Sequence, residues 1–496
     1  MRGGRGWRGA LRLVSVLLML NVQPAALAAE RTPNILLILA DDLGYGDVGA
    51  FNPESKIATP HIDALAQQGL RLTDAHAAPL CIPTRYELLT GRYLFRSQRR
   101  YSREGLIDPG RLTIASLLKQ AGYTTAMIGK WHLSFAGGAE FDYSKPLRGG
   151  PVDHGFDTFY GIHASLDISP YFYIENDRTV QAPTEHIDEH HSSGWRSIQA
   201  EYWRGGAIAP GFKHEEVLPR LTDRAVRYLN SRAQSTEPFF LYFALPAPHA
   251  PWLPRRGLRG KSGAGMYGDY VMEVDEVVGR VLGALQEAGK ANDTLVIFSS
   301  DNGPNWFPAD VRRYGHRAAG GWRGMKGDFW EGGQRMPFIA RWPGRIAAGR
   351  SSAQLFSLVD ILATFASLTG QKLPNGVGED SFDQLPAILN TSTSAARRSI
   401  LYDSNWPATL VAIRERDWKL IPWPEASSYF ETADEHGEFH VSMPFVPRAG
   451  EPTGQLYNLM EDPAEQHNLY TQHPDIVVRL SKLLAQYRSD GRTRPQ

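Results

Sequence analysis

The sequence of 496 residues has one cysteine, Cys81, and no excess of charge of either sign. A single thiol forms no intramolecular disulfide and no cysteine-rich zinc module, so both kinds of scaffold are excluded. Because 53 basic residues balance 53 acidic ones, the basic surplus of a general nucleic-acid-binding protein is missing, and we expect no nucleic-acid partner. The sequence shows no repeat with a period of roughly 20–50 residues, which argues against a solenoid or a propeller.

Long hydrophobic runs are also missing. The apolar run over 13–20 is shorter than the roughly 20 residues that a membrane-spanning helix needs. It follows four arginines and precedes Ala26-Leu27-Ala28, the small-residue pattern of a signal-peptidase site. We predict a signal peptide over 1–28 and an exported protein without a stable membrane anchor, periplasmic or secreted, or lysosomal in a eukaryote. The alternative is an uncleaved membrane anchor.

The sequence does contain enough apolar material for a large core, with 42% hydrophobic and 21% charged residues. Apolar runs alternate along it with segments of helical pattern. The predicted strands are 34–40, 124–128, 239–245 and 294–299, and the predicted helices are 59–68, 83–90, 112–120, 218–233 and 267–288. This alternation predicts an α/β fold with a large, mostly parallel sheet sandwiched by helices.

The pattern changes near residue 385. Short strands are predicted over 399–403, 410–413 and 418–422, and an amphipathic helix over 475–487. These segments indicate a smaller C-terminal α+β domain that carries an antiparallel sheet. We therefore predict a large domain over 33–385 and a small domain over 386–490.

Polar residues follow the predicted strands of the large domain, at 41–42, 130–132, 249 and 301–302. Ligands of parallel sheets bind beyond the carboxyl ends of the strands, so these groups should meet in space. Four of the residues offer hard oxygen ligands, which suit calcium or magnesium: Asp41, Asp42, Asp301 and Asn302. The alternative role of each is to cap a helix or to stabilise a turn.

Cys81 lies close to the predicted start of a helix, because Pro83 fits a first helical turn. Amide N–H groups at such a position favour an anion, and Arg85 lies one turn further along. The thiol is therefore either a nucleophile with a lowered pKa or a buried structural cysteine.

Several motifs in the chain form a set. Cys81-Ile82-Pro83-Thr84-Arg85 precedes Leu88-Leu89-Thr90-Gly91-Arg92, and GYTTAMIGKWH follows over 122–132. The set also includes Asp41-Asp42, Asp301-Asn302-Gly303, Lys326-Gly327, Trp330-Glu331-Gly332-Gly333 and the stretch 456–469. Together they resemble the formylglycine-dependent sulfatases of the arylsulfatase and N-acetylgalactosamine-6-sulfatase kind, in the alkaline phosphatase superfamily. The resemblance spans residues 33–490, and it implies an alkaline-phosphatase-like fold with a catalytic domain over 33–385.

The resemblance implies that Cys81 is oxidised to Cα-formylglycine by a separate formylglycine-generating enzyme, which would be a partner during maturation. This accounts for a lone cysteine in an exported chain. The sequence departs from the family where Ile82, Tyr86 and Glu87 replace small residues. Pro83 and Arg85 are retained, so we expect conversion.

The resemblance also implies the reaction, which is hydrolysis of a sulfate monoester to an alcohol and inorganic sulfate. The metal is calcium in preference to magnesium, and its ligands are Asp41, Asp42, Cys81 in its modified form, Asp301 and Asn302. The hydrated aldehyde of residue 81 attacks sulfur, so that a covalent sulfate ester of the enzyme forms. The alcohol leaves with a proton from His249 or Lys326.

Four further residues match family positions around the hydrate. Lys130 and Arg85 bind sulfate oxygens and position the hydrate as cationic donors. His132 deprotonates the second hydroxyl, which releases sulfate. Ser165 falls where the family has a serine that touches the hydrate.

Other residues suggest a substrate rim. The candidates are six histidines, His154, His163, His186, His190, His191 and His316; a basic run, Arg312, Arg313, Arg317 and Arg323; and three tryptophans, Trp131, Trp306 and Trp322. The alternative for each histidine and arginine is an ordinary surface position, and for each tryptophan it is core packing. The substrate stays open among aryl sulfates, sulfated amino sugars and polysaccharide ends, and the oligomeric state is not predicted.

Two other functions compete. A phosphonate monoester or phosphodiester hydrolase of the same superfamily uses the same formylglycine and metal. A catalytically inactive glycan-binding homologue should have lost Cys81 or a metal carboxylate, and this chain has lost neither.

Overall fold

The computed structural model describes residues 1, 3–4, 32–99, 105–137, 142–196, 198–404, 410–424 and 450–495. Apart from residues 1, 3 and 4, the predicted signal peptide over 1–28 lies outside these ranges. Within them, no helix combines the length and the apolar character that crossing a membrane requires.

The strands and helices alternate through most of the chain. The strands are β1 (Asn34–Asp41), β2 (Leu70–Leu72), β3 (Ala75–His76), β4 (Thr124–Lys130), β5 (Thr158–Ile162), β6 (Ile174–Glu175), β7 (Arg178–Thr179), β8 (Glu185–Ile187), β9 (Gly206–Ile208), β10 (Phe239–Pro248), β11 (Thr294–Ser300), β12 (Phe338–Arg341), β13 (Arg350–Ser352), β14 (Phe356–Ser357), β15 (Ser399–Asp403), β16 (Val411–Glu415), β17 (Trp418–Ile421) and β18 (Gln455–Asn458). The helices are α1 (Pro60–Gln67), α2 (Cys81–Thr90), α3 (Ile114–Gln120), α4 (Val217–Ser231), α5 (Gly265–Glu287), α6 (Pro308–Tyr314), α7 (Glu331–Gln334), α8 (Ile361–Leu368), α9 (Leu385–Leu389) and α10 (Pro474–Ser489).

The main sheet has the strand order β13-β2-β12-β11-β1-β10-β4-β5-β6-β7. Its centre is parallel, since β1 pairs in parallel with β10 and β11, β10 with β4, and β4 with β5. Every residue of β1 is buried, as expected for a continuous apolar strand covered on both faces. Helices α1, α4 and α5 form one packed layer and α2, α3 and α8 another. The predicted parallel sheet sandwiched by helices is therefore confirmed.

The C-terminal part forms an antiparallel sheet with the order β15-β16-β17-β18, and α10 packs on β16 and β17. The antiparallel sheet was predicted, whereas its fourth strand, β18, was not. The described chain from Pro33 onward is one compact unit. The domain boundary at 385/386 stays a prediction.

Candidate active site

The predicted oxygen ligands meet where β1 and β11 end. Ala40 pairs with Ser300 across these parallel strands, so the residues that follow each strand become neighbours. The amide of Asp42 donates to Asp301 Oδ1 over 3.2 Å, and Asn302 Nδ2 donates to Asp42 Oδ1 over 2.7 Å. All four predicted ligands, Asp41, Asp42, Asp301 and Asn302, are buried.

Three cationic side chains neutralise these acids. Lys130 Nζ lies 2.5 Å from Asp41 Oδ2, and Lys326 Nζ lies 2.8 Å from the Asp42 carboxylate. Arg85, on α2, donates through Nε to Asp301 Oδ2 over 2.9 Å. Lys130 is the last residue of β4, so the strand runs two residues further than predicted. The site thus holds predicted cations and predicted acids in contact, all of them buried.

Two site residues have left-handed backbone conformations that side chains with a Cβ rarely adopt. The φ angle is 67° at Asp42 and 57° at His132. Such conformations cost about 1–3 kcal/mol each and persist where surrounding contacts hold them, as they do at many active sites. Asp42 lies just beyond the end of β1, and His132 lies just beyond the end of β4.

Cys81 is the first residue of α2, two residues earlier than the predicted helix start. Its Sγ lies 3.3 Å from Nδ1 of His132. The residue is 7% exposed, and burial raises the pKa of the thiol to about 11 despite the nearby Lys130 and Lys326 charges. Burial therefore favours the thiol form of an unmodified Cys81 over the thiolate.

His249 is buried, and His132 is partly exposed. Loss of contact with water lowers the pKa of each imidazole, and Lys130 lowers that of His132 further, as Lys326 does that of His249. His249 Nδ1 lies 2.7 Å from the carbonyl oxygen of Ala250, so this nitrogen carries the proton. Its other nitrogen, Nε2, lies 3.8 Å from Asp42 Oδ2. His132 thus faces position 81, while His249 faces the acidic side of the site.

The donor set fits a hard divalent cation. Asp41 Oδ1 and Asn302 Oδ1 are buried acceptors without a hydrogen-bond partner among the described residues. Ligand atoms of Asp41, Cys81 and Asp301 lie within 4.8 Å of one another. Burial, together with the negative charge of Asp41, raises the pKa of Asp301 to about 7. A further positive charge would therefore let both carboxylates ionise.

Ser165 lies on the segment beside His132 but makes no side-chain hydrogen bond within the described chain. The amide of His132 donates to the carbonyl oxygen of His163, two residues before Ser165. Ser165 itself is buried, and its Oγ has no hydrogen-bond partner among the residues that the structure describes. Its predicted contact with the hydrate stays a prediction.

Two residues of the site, Asp167 and Tyr267, were not predicted from the sequence. Asp167 Oδ1 lies 3.8 Å from Nδ1 of His249, and its other oxygen pairs with Arg204. Asp167 follows β5, which was not predicted, so its place near a strand end could not be recognised. The Tyr267 hydroxyl donates to the Asp42 carbonyl oxygen over 3.2 Å, from a helix that looks ordinary in sequence.

The rim candidates divide by burial. His154 and His316 are buried, and His316 Nε2 contacts Asp47 Oδ1 at 2.7 Å, so these two are interior residues. His163 is partly exposed. Trp131 and Trp306 are buried as well. The candidates that reach solvent are Trp322, Arg312, Arg313, Arg317, Arg323, His186, His190 and His191.

Comparisons with known proteins give a consistent result. The family model described as Sulfatase matches residues 33–371. The chain is 32% identical to the N-acetylgalactosamine-6-O-sulfatase of Bacteroides thetaiotaomicron over 92% of this chain and 93% of that one. It is 35% identical to arylsulfatase A of Bos taurus, over 93% and 90% of the two chains.

Solved structures agree with the sequence comparisons. A 6S-sulfatase structure from work on glycosaminoglycan metabolism by Bacteroides thetaiotaomicron superposes with a TM-score of 0.79 at 30% identity, covering 93% of this chain and 100% of that one. The phosphonate monoester hydrolase of Agrobacterium radiobacter has a TM-score of 0.59 at 18% identity, over 92% of this chain and 96% of that one, and shares the fold alone.

Proposed function

Because the chain belongs to the sulfatase family and hydrolyses sulfate esters, we propose that it cleaves a sulfate monoester on a saccharide, with formylglycine at position 81 and one calcium ion. The observation that carries this proposal is the convergence of position 81, three cations and two histidines on one group of buried oxygen ligands. The saccharide follows from the bacterial relative, whose name specifies an N-acetylgalactosamine 6-O-sulfate.

The calcium ligands are Asp41, Asp42, Asp301, Asn302 and the modified residue 81. Hard oxygen donors and the two unpartnered buried oxygens support a hard cation over zinc. When present, the ion supplies Lewis-acid polarisation, and formylglycine supplies a hydroxyl nucleophile together with a second hydroxyl that allows sulfate release.

The cationic side chains bind the sulfate group. Lys130, Lys326 and Arg85 already contact carboxylates around the site, so their N–H groups are oriented before the substrate arrives. Buried N–H donors to an anion form charge-assisted hydrogen bonds that are stronger than neutral ones. These residues thus hold the sulfate oxygens and fix the direction of attack on sulfur.

The two histidines move protons at different atoms. His132 Nδ1 lies 3.3 Å from the side chain of residue 81, within reach of a proton on that group. His249 Nε2 forms no hydrogen bond in the described part of the chain, whereas Lys326 is bound to Asp42. We therefore assign proton delivery to the leaving alcohol to His249.

Maturation and export complete the proposal. The Cys81 to Arg85 motif is the substrate of a formylglycine-generating enzyme, and the signal peptide over 1–28 exports the chain. Both parts rest on sequence motifs.

The test is side-by-side kinetics on an aryl sulfate, an aryl phosphonate ester and a panel of defined sulfated saccharides. We expect the highest kcat/KM on a 6-O-sulfated amino sugar and little turnover of the phosphonate ester. A kcat/KM for the phosphonate ester equal to or above that for every sulfate ester would overturn the proposal.

A further inference from the structure

A cavity of about 680 Å³ lies beside the segment that leads to Lys326 of the candidate active site, and its lining is strongly basic. Four arginines reach it, Arg196, Arg312, Arg317 and Arg323. Aromatic and apolar side chains, including Phe307, Trp322 and Met325, form the rest of its wall. The volume lies within the range of about 300–1,000 Å³ typical of small-molecule sites.

Among the described residues that line this cavity, four arginines face one acidic side chain. Within the ranges that the structure describes, none of the four guanidinium groups forms an ion pair with a carboxylate. One acidic residue, Asp328, lies in the lining, and its Oδ2 accepts from the amide of Met325 over 2.9 Å. Elsewhere in the chain buried or half-buried arginines such as Arg96 and Arg397 each pair with an acid. The cavity is thus prepared for an anion that the chain itself does not supply.

Two of the four guanidinium groups are held in place by aromatic rings. Arg196 Cζ lies 4.3 Å from the ring centre of Phe307, and Arg323 Cζ lies 3.7 Å from that of Trp330. Arg323 also donates to the carbonyl oxygen of Glu465 over 2.8 Å. A guanidinium group stacked on a ring keeps N–H groups at its edge for a planar or tetrahedral anion. The Arg196 and Arg323 side chains are therefore partly ordered before a ligand binds, so that binding costs less of their conformational entropy.

The cavity and the catalytic site share one segment of chain. Met325 lines the cavity, and the next residue, Lys326, contacts Asp42. On the inner side, Trp306 stacks on Tyr267 with ring centres 4.9 Å apart, and the Tyr267 hydroxyl contacts the Asp42 carbonyl oxygen. The wall of the basic cavity is therefore connected to the catalytic site through the Met325–Lys326 segment and through the contact of Trp306 with Tyr267.

We propose that this cavity, defined by Arg196, Arg312, Arg317 and Arg323, binds a second anionic substituent of the substrate, a sulfate or a carboxylate on a neighbouring sugar. The inference rests on the proposed function and narrows it, because it makes a polyanionic oligosaccharide the preferred substrate over a simple sulfated sugar. The apolar wall accommodates the sugar ring, and the arginines bind the charge.

The test compares Arg312→Gln with Arg313→Gln. Both arginines lie on α6 and are exposed. Arg313 was a rim candidate in the sequence, but the structure places it outside the cavity, with its guanidinium group stacked on Trp195. We expect Arg312→Gln to lower kcat/KM for a disulfated disaccharide about tenfold more than for 4-nitrophenyl sulfate, mainly through KM. Arg313→Gln should change neither value. A disaccharide with one sulfate and one uronate, compared with the disulfated one, identifies which anion the cavity prefers.

Direct binding separates this inference from the proposed function. Calorimetry on Cys81→Ala protein, which does not turn over substrate, should show a Kd for the disulfated disaccharide about tenfold higher when Arg312→Gln is added. Equal Kd values with and without Arg312→Gln would overturn the inference while leaving sulfatase activity intact. Absence of wild-type turnover on any sulfate ester would instead contradict the proposed function, and the calorimetry would still test the cavity.

Discussion

Cys81 is surrounded by groups that serve a modified residue better than a thiol. Burial disfavours the thiolate, yet two lysines and an arginine lie around the position. These cations suit an oxygen nucleophile and an anionic sulfate group.

Natively processed protein should carry formylglycine at residue 81, which mass spectrometry of the tryptic peptide detects. Cys81→Ala should lower turnover by about 10⁴-fold or more, because it removes the nucleophile. Circular dichroism and Tm should stay close to those of the parent protein. Active enzyme with a wholly unmodified thiol at this position would contradict the proposal.

The two histidines should fail in different ways. His249→Ala should slow alcohol release by about 10²–10⁴-fold for sugar sulfates and less for nitrophenyl sulfate, since a phenolate leaves with little help. His132→Ala should release about one nitrophenol per molecule and then stall. Stopped-flow absorbance distinguishes a burst from steady turnover. Steady turnover in His132→Ala, with a burst in His249→Ala, would reverse the assignment.

Glu87 replaces a small residue of the family motif, and its carboxyl group is buried beside Asp403. Burial raises the pKa of Glu87 well above its ordinary value, and the charge of Asp403 and a hydrogen bond to it raise it further. Between the pKa of Glu87 in the unfolded chain and its higher pKa in the folded protein, the folded state keeps the proton and the unfolded state releases it. The free energy of unfolding therefore falls as the pH rises through this range.

Glu87→Gln removes this pH-dependent loss and keeps a hydrogen-bond donor to Asp403. We expect the variant to melt at a higher temperature than the parent at pH 8, with the difference shrinking towards pH 4.5. Each unit of the pKa rise is worth about 1.4 kcal/mol. Differential scanning calorimetry across pH measures it, with the exposed Glu54→Gln as control. A Tm gain that does not change with pH would argue against a buried proton.

At the scale of elements, the C-terminal sheet supports the loop that carries Lys326. Glu331 begins α7, five residues after Lys326, and its carboxylate lies 3.0 Å from Lys419 Nζ on β17. Glu465, beyond β18, accepts from the Glu331 amide over 2.6 Å and lies 2.9 Å from the same Lys419. One buried lysine thus contacts two acids and joins the sheet to the loop, and Arg335 pairs with Glu331 as well.

Lys419→Met should destabilise the protein by about 3–5 kcal/mol, because it leaves the buried Glu465 carboxylate without its cation. Glu331, in contrast, keeps its ion pair with Arg335. The surviving folded enzyme should lose kcat, since the position of Lys326 depends on α7. Adding Glu465→Gln should recover part of the stability by removing one of the two charges. Urea unfolding with parallel kinetics tests both effects, and a double variant no more stable than Lys419→Met would contradict the shared-cation account.

The strands that could be predicted are those whose hydrophobic pattern is visible within a short stretch of sequence. The strands β1, β4, β10 and β11 are apolar runs, and their ends locate Asp41 and Asp301 because parallel strands in one sheet end at the same edge. In contrast, β5 is five residues long and contains Gly161, so its pattern is weak. Asp167 and the Glu331–Lys419 contact depend on chain segments far apart in sequence, which no local pattern reveals.

At the scale of the whole molecule, the proposed calcium site joins the ends of β1 and β11. A cation that binds the folded chain alone stabilises it, by about 2.7 kcal/mol at a hundredfold excess over Kd. We expect chelation to lower Tm and added calcium to restore it, measured by scanning fluorimetry together with elemental analysis. Asp301→Ala should abolish the response to calcium. Stoichiometric zinc, or a calcium response unchanged in Asp301→Ala, would contradict the assignment.

The burial of Cys81 also sets an order in time. The enclosing sheet pairs β1 with β10 and β11, which are supplied by residues 239–300, and Glu331 rests on Glu465 near the end of the chain. If residue 81 is oxidised as proposed, the modifying enzyme has to reach the thiol before these later segments have folded around it. On the proposed modification, oxidation competes with folding, so a change in the elongation rate between codons 81 and 300 should alter the fraction of active molecules without any change in sequence.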